Sequence, residues 1–281
     1  DDATFDEVAR ISDISKKVGA TFVLGVGGGK VIDVAKLVAK DGGMEFLSVP
    51  TAASHDGIVS SRASLKRSGD TASVAARAPL GVIADTEIIR KSPYRLTASG
   101  CGDIIAKFTA VRDWELARDK NGEEFSEYAS ALSLMSAKII ADSSESISDE
   151  SETSIRKVVK ALISCGVAMS IAGSSRPGSG SEHKFSHALD AIAPKPAFHG
   201  EQCGVGTIMM TKLQGGDWQQ IKRVLEDIGC PVDAKGLNID PDLVVEALTR
   251  AHKIRESRYT ILGDGLSREE AFELASSTAV I

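Results

Sequence analysis

The chain lacks three features that mark common classes of protein. It has no excess of positive charge, because 39 acidic residues against 33 basic ones give a formal net charge of −6 over 281 residues. The charges are scattered, which argues against a nucleic-acid partner. No uninterrupted apolar run reaches membrane length, so we expect no membrane insertion. The segment Asp1 to Arg10 is acidic where a secretory signal would be basic and then apolar, and we expect a cytoplasmic protein.

Cysteine is also scarce, and its spacing argues against two kinds of site. Cys101, Cys165, Cys203 and Cys230 stand far apart and form no C-x-x-C pair. Such spacing suggests neither a zinc knuckle nor a disulfide framework. We expect buried free thiols.

The pattern of apolar residues divides the chain into two parts. Before Pro93, short apolar runs alternate with amphipathic stretches, as parallel βα units do. This pattern predicts helices at Asp6–Val18 and Val31–Lys40 and strands at Thr21–Val26, Phe46–Val49 and Gly81–Ala84. The polar stretch Ile58–Arg77, with Arg62, Lys66, Ser68, Gly69, Asp70 and Thr71, predicts a loop or hairpin near a ligand.

After Pro93 the periodicity is helical throughout. Asp240 and Pro241 suit an N-cap and a first helical position. Helices are predicted at Phe125–Asp142, Ser151–Ile171, Asp217–Ile228, Pro241–Ile254 and Ser267–Ser276. We therefore expect a Rossmann-like α/β nucleotide-binding domain over residues 1–92 and an all-α metal- and substrate-binding domain over residues 93–281, with the site in the cleft between them.

Only three strands are convincing in the α/β part, whereas a doubly wound cofactor domain is built from two mononucleotide-binding halves. A sheet so reduced would leave one edge unpaired, which soluble proteins avoid. We therefore expect that the N-terminal part of the cofactor domain is missing from this chain.

A glycine-rich turn, Gly25-Val26-Gly27-Gly28-Gly29-Lys30, joins the first predicted strand to a helix. Glycines let backbone N–H groups approach a phosphate at the positive end of a helix. The spacing is neither the full dinucleotide fingerprint nor a P-loop, since Leu24 and Val31 replace required residues of the latter. The motif favours a diphosphate site; a tight turn that needs glycine only for steric reasons is the alternative.

A second loop, Pro50 to Gly57, follows the next strand and should emerge at the same edge of a parallel sheet. Thr51 and Ser54 can hydrogen-bond a cofactor, and Asp56 can accept from a substrate hydroxyl. Alternatively, Ser54 or Asp56 caps a helix or makes an Asx-turn.

Histidines cluster in the helical part of the chain. His183, His187 and His199 are three of only five histidines, and the first two stand at i and i+4 of a predicted helix. Two imidazoles and a carboxylate make a catalytic zinc site with one open position. Asp103 is the candidate carboxylate, and we expect it to open the first helix after the domain boundary. The alternative is that Asp103 is an N-cap and the histidines are ordinary core or surface groups.

Five motifs occur in a familiar order: Gly-Gly-Gly-Lys, Pro-Thr-x-x-Ser-His-Asp-Gly, Gly-Asp-x-x-Ala-Lys, Gly-Ser-Glu-His and His-Gly-Glu. With them the chain resembles the iron-containing alcohol dehydrogenase and dehydroquinate synthase superfamily, and within it the archaeal glycerol-1-phosphate dehydrogenases. Ser175 to Asp190 is the sharpest part of a match that covers essentially the whole chain. The resemblance implies a dehydroquinate synthase-like fold.

The resemblance also implies roles for individual residues. It places zinc on Asp103, His183 and His199, and the substrate and catalytic groups at Asp56, Asp103 and His187. The NAD(H) or NADP(H) cofactor would be held by Gly29, Lys30, Val31, Ile32, Asp33, Thr51, Ala52, Ala53, Ser54 and Ser60.

The activity implied is the reversible reduction of dihydroxyacetone phosphate to sn-glycerol 1-phosphate, in archaeal membrane phospholipid synthesis. We also expect a homo-oligomer. Arg176, then Lys184, and also Lys107 are candidates for binding the substrate phosphate, although each is equally consistent with a solvated surface charge. Three alternatives stay open: a polyol dehydrogenase acting on unphosphorylated glycerol, a dehydroquinate-synthase-like lyase, and a catalytically silent metal-stabilised binding protein.

Overall fold

The computed structural model describes residues 2–67 and 70–281, so Ser68 and Gly69 of the predicted hairpin lie outside the described residues. All the strands of the described chain precede Ile83. The first part consists of α1 (Phe5–Lys17), β1 (Phe22–Gly27), α2 (Gly29–Asp41), β2 (Glu45–Pro50), β3 (Arg62–Arg67), β4 (Asp70–Ala75) and β5 (Gly81–Val82).

The remainder of the described chain is helical, as the periodicity predicts. Its elements are α3 (Thr86–Arg90), α4 (Tyr94–Ile105), α5 (Lys107–Asn121), α6 (Glu127–Ala141), α7 (Ser144–Ile147), α8 (Glu152–Ala172), α9 (Ser181–Ile192), α10 (His199–Leu213), α11 (Trp218–Ile228), α12 (Ala234–Leu237), α13 (Pro241–Ala251) and α14 (Arg268–Ser277). Among the described residues, no helix combines the length and hydropathy that a membrane crossing requires.

The parallel sheet has the strand order β1-β2-β5. Gly27 at the end of β1 is in register with Pro50 at the end of β2. The Thr51 N–H donates to the Gly27 carbonyl at 3.0 Å, which ties the second loop to the glycine turn. The prediction that both loops leave the same edge of the sheet is therefore confirmed.

The predicted hairpin is present as the antiparallel pair β3-β4. It is fixed to α2 by buried polar groups. The Ser64 N–H donates to the Asp33 carboxylate at 3.0 Å, and the fully buried Lys36 ammonium donates to the Arg62 carbonyl at 2.7 Å. These bonds hold the hairpin against α2.

The predicted N-cap Asp240 is confirmed: it caps α13, with Pro241 as the first residue of the helix. The helix predicted to begin at Ser267 is also present, and Ser267 forms a capping box with Glu270 at the start of α14. In both cases a side-chain oxygen accepts from a backbone N–H that has no partner within the helix.

The position expected for Asp103 is wrong. Asp103 does not open the first long helix of the helical part; it lies in the last turn of α4, which begins at Tyr94 after Pro93. No side chain caps this helix start, so no capping residue marks it. Asp103 is also not an N-cap, because helical residues precede it.

Helices α4 and α10 approach closely because glycines line their contact. A methyl group on Gly200 would overlap the Ser99 carbonyl, and one on Gly102 would overlap the Gly200 carbonyl. Only residues without a Cβ allow the two backbones to meet at this separation. The close approach brings the end of α4, which carries Asp103, beside the start of α10, which carries His199.

Candidate active site

A cavity of about 290 Å³ lies between the glycine turn, the loop after β2 and helices α9 and α10. It brings together residues of the predicted coenzyme, substrate and metal sets. Those that line it are Gly29, Lys30, Asp33, Asp56, Ser60, His183, His187 and His199. Residues assigned to separate roles from the sequence therefore face one common space.

The other predicted coenzyme residues surround this space without lining it. Ile32, Ala52 and Ala53 are buried, and Val31 is exposed at the start of α2. Thr51 is tied to Gly27 through its backbone, and the Ser54 carbonyl accepts from the Ser99 hydroxyl at 3.2 Å. In this structure these residues support the shape of the two loops.

Asp103 is fully buried at the centre of a polar network. Its Oδ2 accepts from the Asp56 N–H at 2.8 Å, and its Oδ1 accepts from the Lys107 ammonium at 2.8 Å. Lys107 also forms an ion pair with Asp56 Oδ2 at 2.8 Å. Burial acts to raise the pKa of Asp103, but Lys107 and His183 hold it well below its usual value. The carboxylate is thus kept ionised and fixed in place.

His183 is oriented by the residue that precedes it. Its Nδ1 lies 2.7 Å from Glu182 Oε1, and its Nε2 lies 3.4 Å from Asp103 Oδ1. Glu182 is itself fully buried and also accepts from the Gly180 N–H at 2.6 Å and the Thr109 hydroxyl at 2.7 Å. A carboxylate on Nδ1 directs the Nε2 lone pair of a histidine toward a metal.

His199 begins α10 and lies against the other histidines. Its ring centroid is 5.0 Å from that of His183 and 5.6 Å from that of His187. The Ser186 hydroxyl is 3.2 Å from Nδ1. Burial, followed by the positive charge of His183, lowers the pKa of His199 well below its usual value, which favours the neutral ring that can bind a metal.

His187 lies one turn after His183 on α9, as the i, i+4 spacing predicts. It is partly exposed, lines the cavity and faces Asp190 at 3.7 Å. Burial lowers the pKa of His187, and the carboxylate of Asp190 opposes that effect. A partly exposed imidazole beside the metal candidates is suited to proton transfer.

Three further residues at the site were not found from the sequence. Glu182 was quoted only as part of a motif. His55 lines the cavity, and its ring packs so closely on Gly29 that a methyl group there would overlap it. Cys203, one turn after His199, places Sγ 3.6 Å from His199 Nε2. The i, i+4 spacing of His199 and Cys203 was a signal available for the thiol.

Cys203 also offers an alternative ligand. Donor atoms of His183, His199 and Cys203 all lie within 4.8 Å of one another. Burial raises the pKa of the Cys203 thiol, although the neighbouring His183 opposes that shift. Asp103 and Cys203 therefore compete for the role of third ligand.

The cations suggested for the substrate phosphate are already engaged. Arg176 does not line the cavity; its Nε donates to Glu123 at 2.6 Å, its Nη2 also pairs with Glu123, and its Nη1 donates to the Tyr259 carbonyl at 2.8 Å. Lys107 is held by Asp56 and Asp103. Lys184 is buried outside the cavity lining. In this structure Arg176 is therefore paired with Glu123 and does not face the cavity.

Comparison with known proteins identifies the relatives of the chain. Residues 1–93 match the family model described as iron-containing alcohol dehydrogenase. The chain is 61% identical over 282 residues to the glycerol-1-phosphate dehydrogenase (NAD(P)+) of Methanothermobacter thermautotrophicus, covering 100% of this chain and 81% of that protein. It is 55% identical over 281 residues to the protein of the same name from Thermococcus sibiricus, covering 100% and 80%.

Solved structures show the same fold at low sequence identity. A probable glycerol dehydrogenase from Sinorhizobium meliloti superposes with a TM-score of 0.84 at 21% identity, over 100% of this chain and 83% of that one. Glycerol dehydrogenase from Schizosaccharomyces pombe superposes with a TM-score of 0.81 at 19% identity, over 99% and 73%. At such identities the likeness concerns the fold alone, and it confirms the fold class expected from the sequence.

Proposed function

The chain belongs to the family of archaeal glycerol-1-phosphate dehydrogenases, and on that premise we propose that it reduces dihydroxyacetone phosphate to sn-glycerol 1-phosphate with NADH or NADPH, reversibly. The observation that carries the proposal is the shared cavity. His183 and His199 line it together with Gly29 of the glycine turn, and the buried Asp103 lies against His183. The product is a glycerol phosphate of the kind needed for archaeal membrane phospholipids. The reaction draws on a pool of free nicotinamide nucleotide, which supports a cytoplasmic location.

The residues present fit a catalytic metal. Asp103, His183 and His199 supply one oxygen and two nitrogen donors, and we assign zinc to them because such a set leaves a coordination position open. Asp103 is favoured over Cys203 because Lys107 and the Asp56 N–H fix its carboxylate beside His183. Bound there, zinc would supply Lewis-acid polarisation of the ketone oxygen.

The glycine turn supports the coenzyme assignment. Gly28 caps α2 with extended backbone and has no heavy atom within 4 Å of the place where a Cβ would stand. Gly27 has a φ of 154°, a conformation that favours glycine. The first N–H groups of α2 have no partner within the helix, as at helix starts that bind a diphosphate. The nicotinamide supplies the hydride when it is bound.

The remaining steps fall to the chain's own side chains. Asp56 lines the cavity, and we assign its carboxylate to accept from a substrate hydroxyl. His187 lines the same space, so we assign its imidazole to deliver the proton that the product oxygen needs. Asp190 on the next turn of α9 keeps that ring in place. We also propose that the enzyme works as a homo-oligomer.

Substrate comparison tests the proposal. Purified enzyme is assayed with dihydroxyacetone phosphate and with dihydroxyacetone, each with NADH and with NADPH. We expect kcat/KM to favour the phosphorylated ketone strongly, because a cation that pairs with phosphate is left uncompensated without it. Equal efficiency with both ketones would assign the chain to the polyol dehydrogenases. No oxidation of either nucleotide would favour a lyase or a silent binding protein.

A further inference from the structure

The cavity contains two arginines that no carboxylate of the described chain neutralises. Arg255 and Arg62 both line it. The Arg255 guanidinium makes no hydrogen bond or ion pair with any described residue. Arg62 donates to the Ser73 carbonyl at 2.8 Å, which leaves its charge uncompensated. Such charge in a partly enclosed space is unfavourable unless an anion enters.

The carboxylates that line the cavity are committed elsewhere. Asp33 pairs with Lys36 at 3.0 Å, Asp56 with Lys107 at 2.8 Å, and Asp2 with Lys66 at 2.9 Å as well as with Lys30. Asp190 accepts from Gln202 at 2.8 Å and faces His187. Among the described residues, the two guanidinium groups therefore have no carboxylate partner. Asp190 is the lining carboxylate without a lysine or arginine partner, and Gln202 holds it.

The pKa values of neighbouring groups are lowered, as expected beside uncompensated positive charge. After burial, Arg62 is the cause that lowers the pKa of Arg255, and both residues line the same cavity. Burial and then Arg255 lower the pKa of Arg258 to about 10. Arg255 and His187 both line the cavity.

The backbone at Arg255 is unusual. Its φ is 49°, in the left-handed region that side chains with a Cβ rarely adopt, within the turns that follow α13. Behind it, Arg258 donates to the Ser179 carbonyl at 2.6 Å and to the Ser175 hydroxyl at 2.8 Å, which fixes this segment against the cavity wall. Strained residues of this kind cluster where a side chain must be aimed at a ligand.

We propose that Arg255, assisted by Arg62, binds the phosphate of the three-carbon substrate and so determines the preference for a phosphorylated ketone. The inference rests on the proposed function. A phosphate dianion beside His187 would leave the rest of a three-carbon substrate within reach of the histidine cluster. Arg255 lies in the turn after α13 and Arg62 lies in the hairpin over α2. A phosphate bound by both would therefore link the two parts of the chain.

Steady-state kinetics of Arg255→Asn test the proposal. Asparagine tolerates the left-handed backbone, so the variant removes the charge without adding strain. We expect kcat/KM for dihydroxyacetone phosphate to fall about 100-fold, in the range for truncating one partner of a buried charge pair. The value for dihydroxyacetone should change less than about 3-fold, since that substrate has no phosphate. Arg62→Gln should show the same selective loss at about 10-fold, because Arg62 keeps the supporting position.

Two control variants distinguish loss of the Arg255 charge from an effect on the fold or on coenzyme binding. Arg250→Gln changes an exposed arginine of α13 that pairs with Glu246, and it should leave both substrates unaffected. Arg255→Lys retains the charge and should recover part of the lost efficiency, though not the bidentate geometry of a guanidinium. An equal loss for both ketones, or a rise in the KM of NADH or NADPH alone, would overturn the assignment.

A binding measurement distinguishes failure of this inference from failure of the proposed function. Calorimetric titration of the metal-loaded protein with inorganic phosphate should show at least about a 10-fold weaker affinity in Arg255→Asn than in the parent. If the parent reduces dihydroxyacetone phosphate selectively but phosphate binding is the same in both proteins, only the inference is wrong. If the parent has no dehydrogenase activity yet phosphate binding depends on Arg255, the anion site stands and the proposed function is wrong.

Discussion

At the scale of single residues, the site depends on side chains that position other side chains. Glu182 and Asp103 approach His183 from opposite ends of its ring. Lys107 bridges Asp103 and Asp56, so one ammonium keeps two carboxylates in place. The chemistry proposed for the histidines requires this arrangement, because an imidazole free to rotate would not present the same nitrogen to a metal.

Glu182→Ala should weaken metal binding by about 10- to 100-fold, because His183 loses the acceptor that fixes its Nδ1. Glu182→Gln keeps a side-chain oxygen at that position and should retain most of the affinity. Chelator competition with the zinc-loaded proteins gives both values. Glu256→Ala, at an exposed position, serves as the control. If the Ala and Gln variants weaken zinc binding equally, a role in orienting His183 is excluded.

Cys203→Ser and Asp103→Asn decide which residue is the third ligand. Asn is a weaker ligand than a carboxylate and leaves Lys107 with one fewer negative partner, so Asp103→Asn should lose most of its bound metal and its activity. Cys203→Ser should keep close to the parental metal content. Elemental analysis after dialysis measures both. The reverse result would transfer the ligand role to the thiol.

Gly28→Ala should impair coenzyme binding without destabilising the protein. The Cβ of an alanine there meets no heavy atom within 4 Å, so the midpoint of thermal unfolding should be nearly unchanged. The methyl group would instead occupy the space assigned to the diphosphate, and we expect the KM for NADH or NADPH to rise about 10-fold or more. An unchanged KM in the folded variant would show that the diphosphate does not bind at this turn.

At the scale of elements, the active site depends on how closely α4 and α10 pack. Gly100, Gly102 and Gly200 remove the side chains that would separate these helices from each other and from the loop after β2. Asp103 and His199 are far apart in sequence, and this contact is what brings them to one site.

Gly200→Ala should therefore reduce both stability and metal content. Its methyl group would overlap the Ser99 carbonyl, and relieving such overlap costs about 1–3 kcal/mol of the free energy of unfolding. Gly204→Ala on the same helix is the matched control, since its nearest neighbour is the flexible Leu225 side chain at 3.3 Å. Denaturant unfolding compares the two. A destabilisation no larger at Gly200 than at Gly204 would contradict the close packing.

Much of the element pattern was predictable from local signals. The strands after α1, the hairpin and the helix starts at Asp240 and Ser267 follow from apolar alternation and capping residues, which act over a few neighbouring positions. The placement of Asp103 was not predictable, because α4 starts without a side-chain cap. That Arg62 and Arg255 line the same cavity could not be predicted from the sequence either, since only the tertiary fold brings the hairpin to the turn after α13.

At the scale of the whole molecule, the α/β part and the helical part contribute different halves of one cavity. The glycine turn and the loop after β2 bring the residues proposed to bind the coenzyme, while α9 and α10 bring the histidines. Family membership and the fold agree with this arrangement of the cavity. The central claim is that the shared cavity works as a metal-dependent dehydrogenase.

Metal removal and return tests that claim most directly. The enzyme is stripped with a chelator, and NADH oxidation with dihydroxyacetone phosphate is followed before and after zinc is restored, beside His199→Ala treated in the same way. We predict that stripping abolishes turnover, that zinc restores it in the parent, and that His199→Ala neither retains metal nor recovers. Full activity in the metal-free parent would contradict the assignment of Asp103, His183 and His199 as a catalytic metal site.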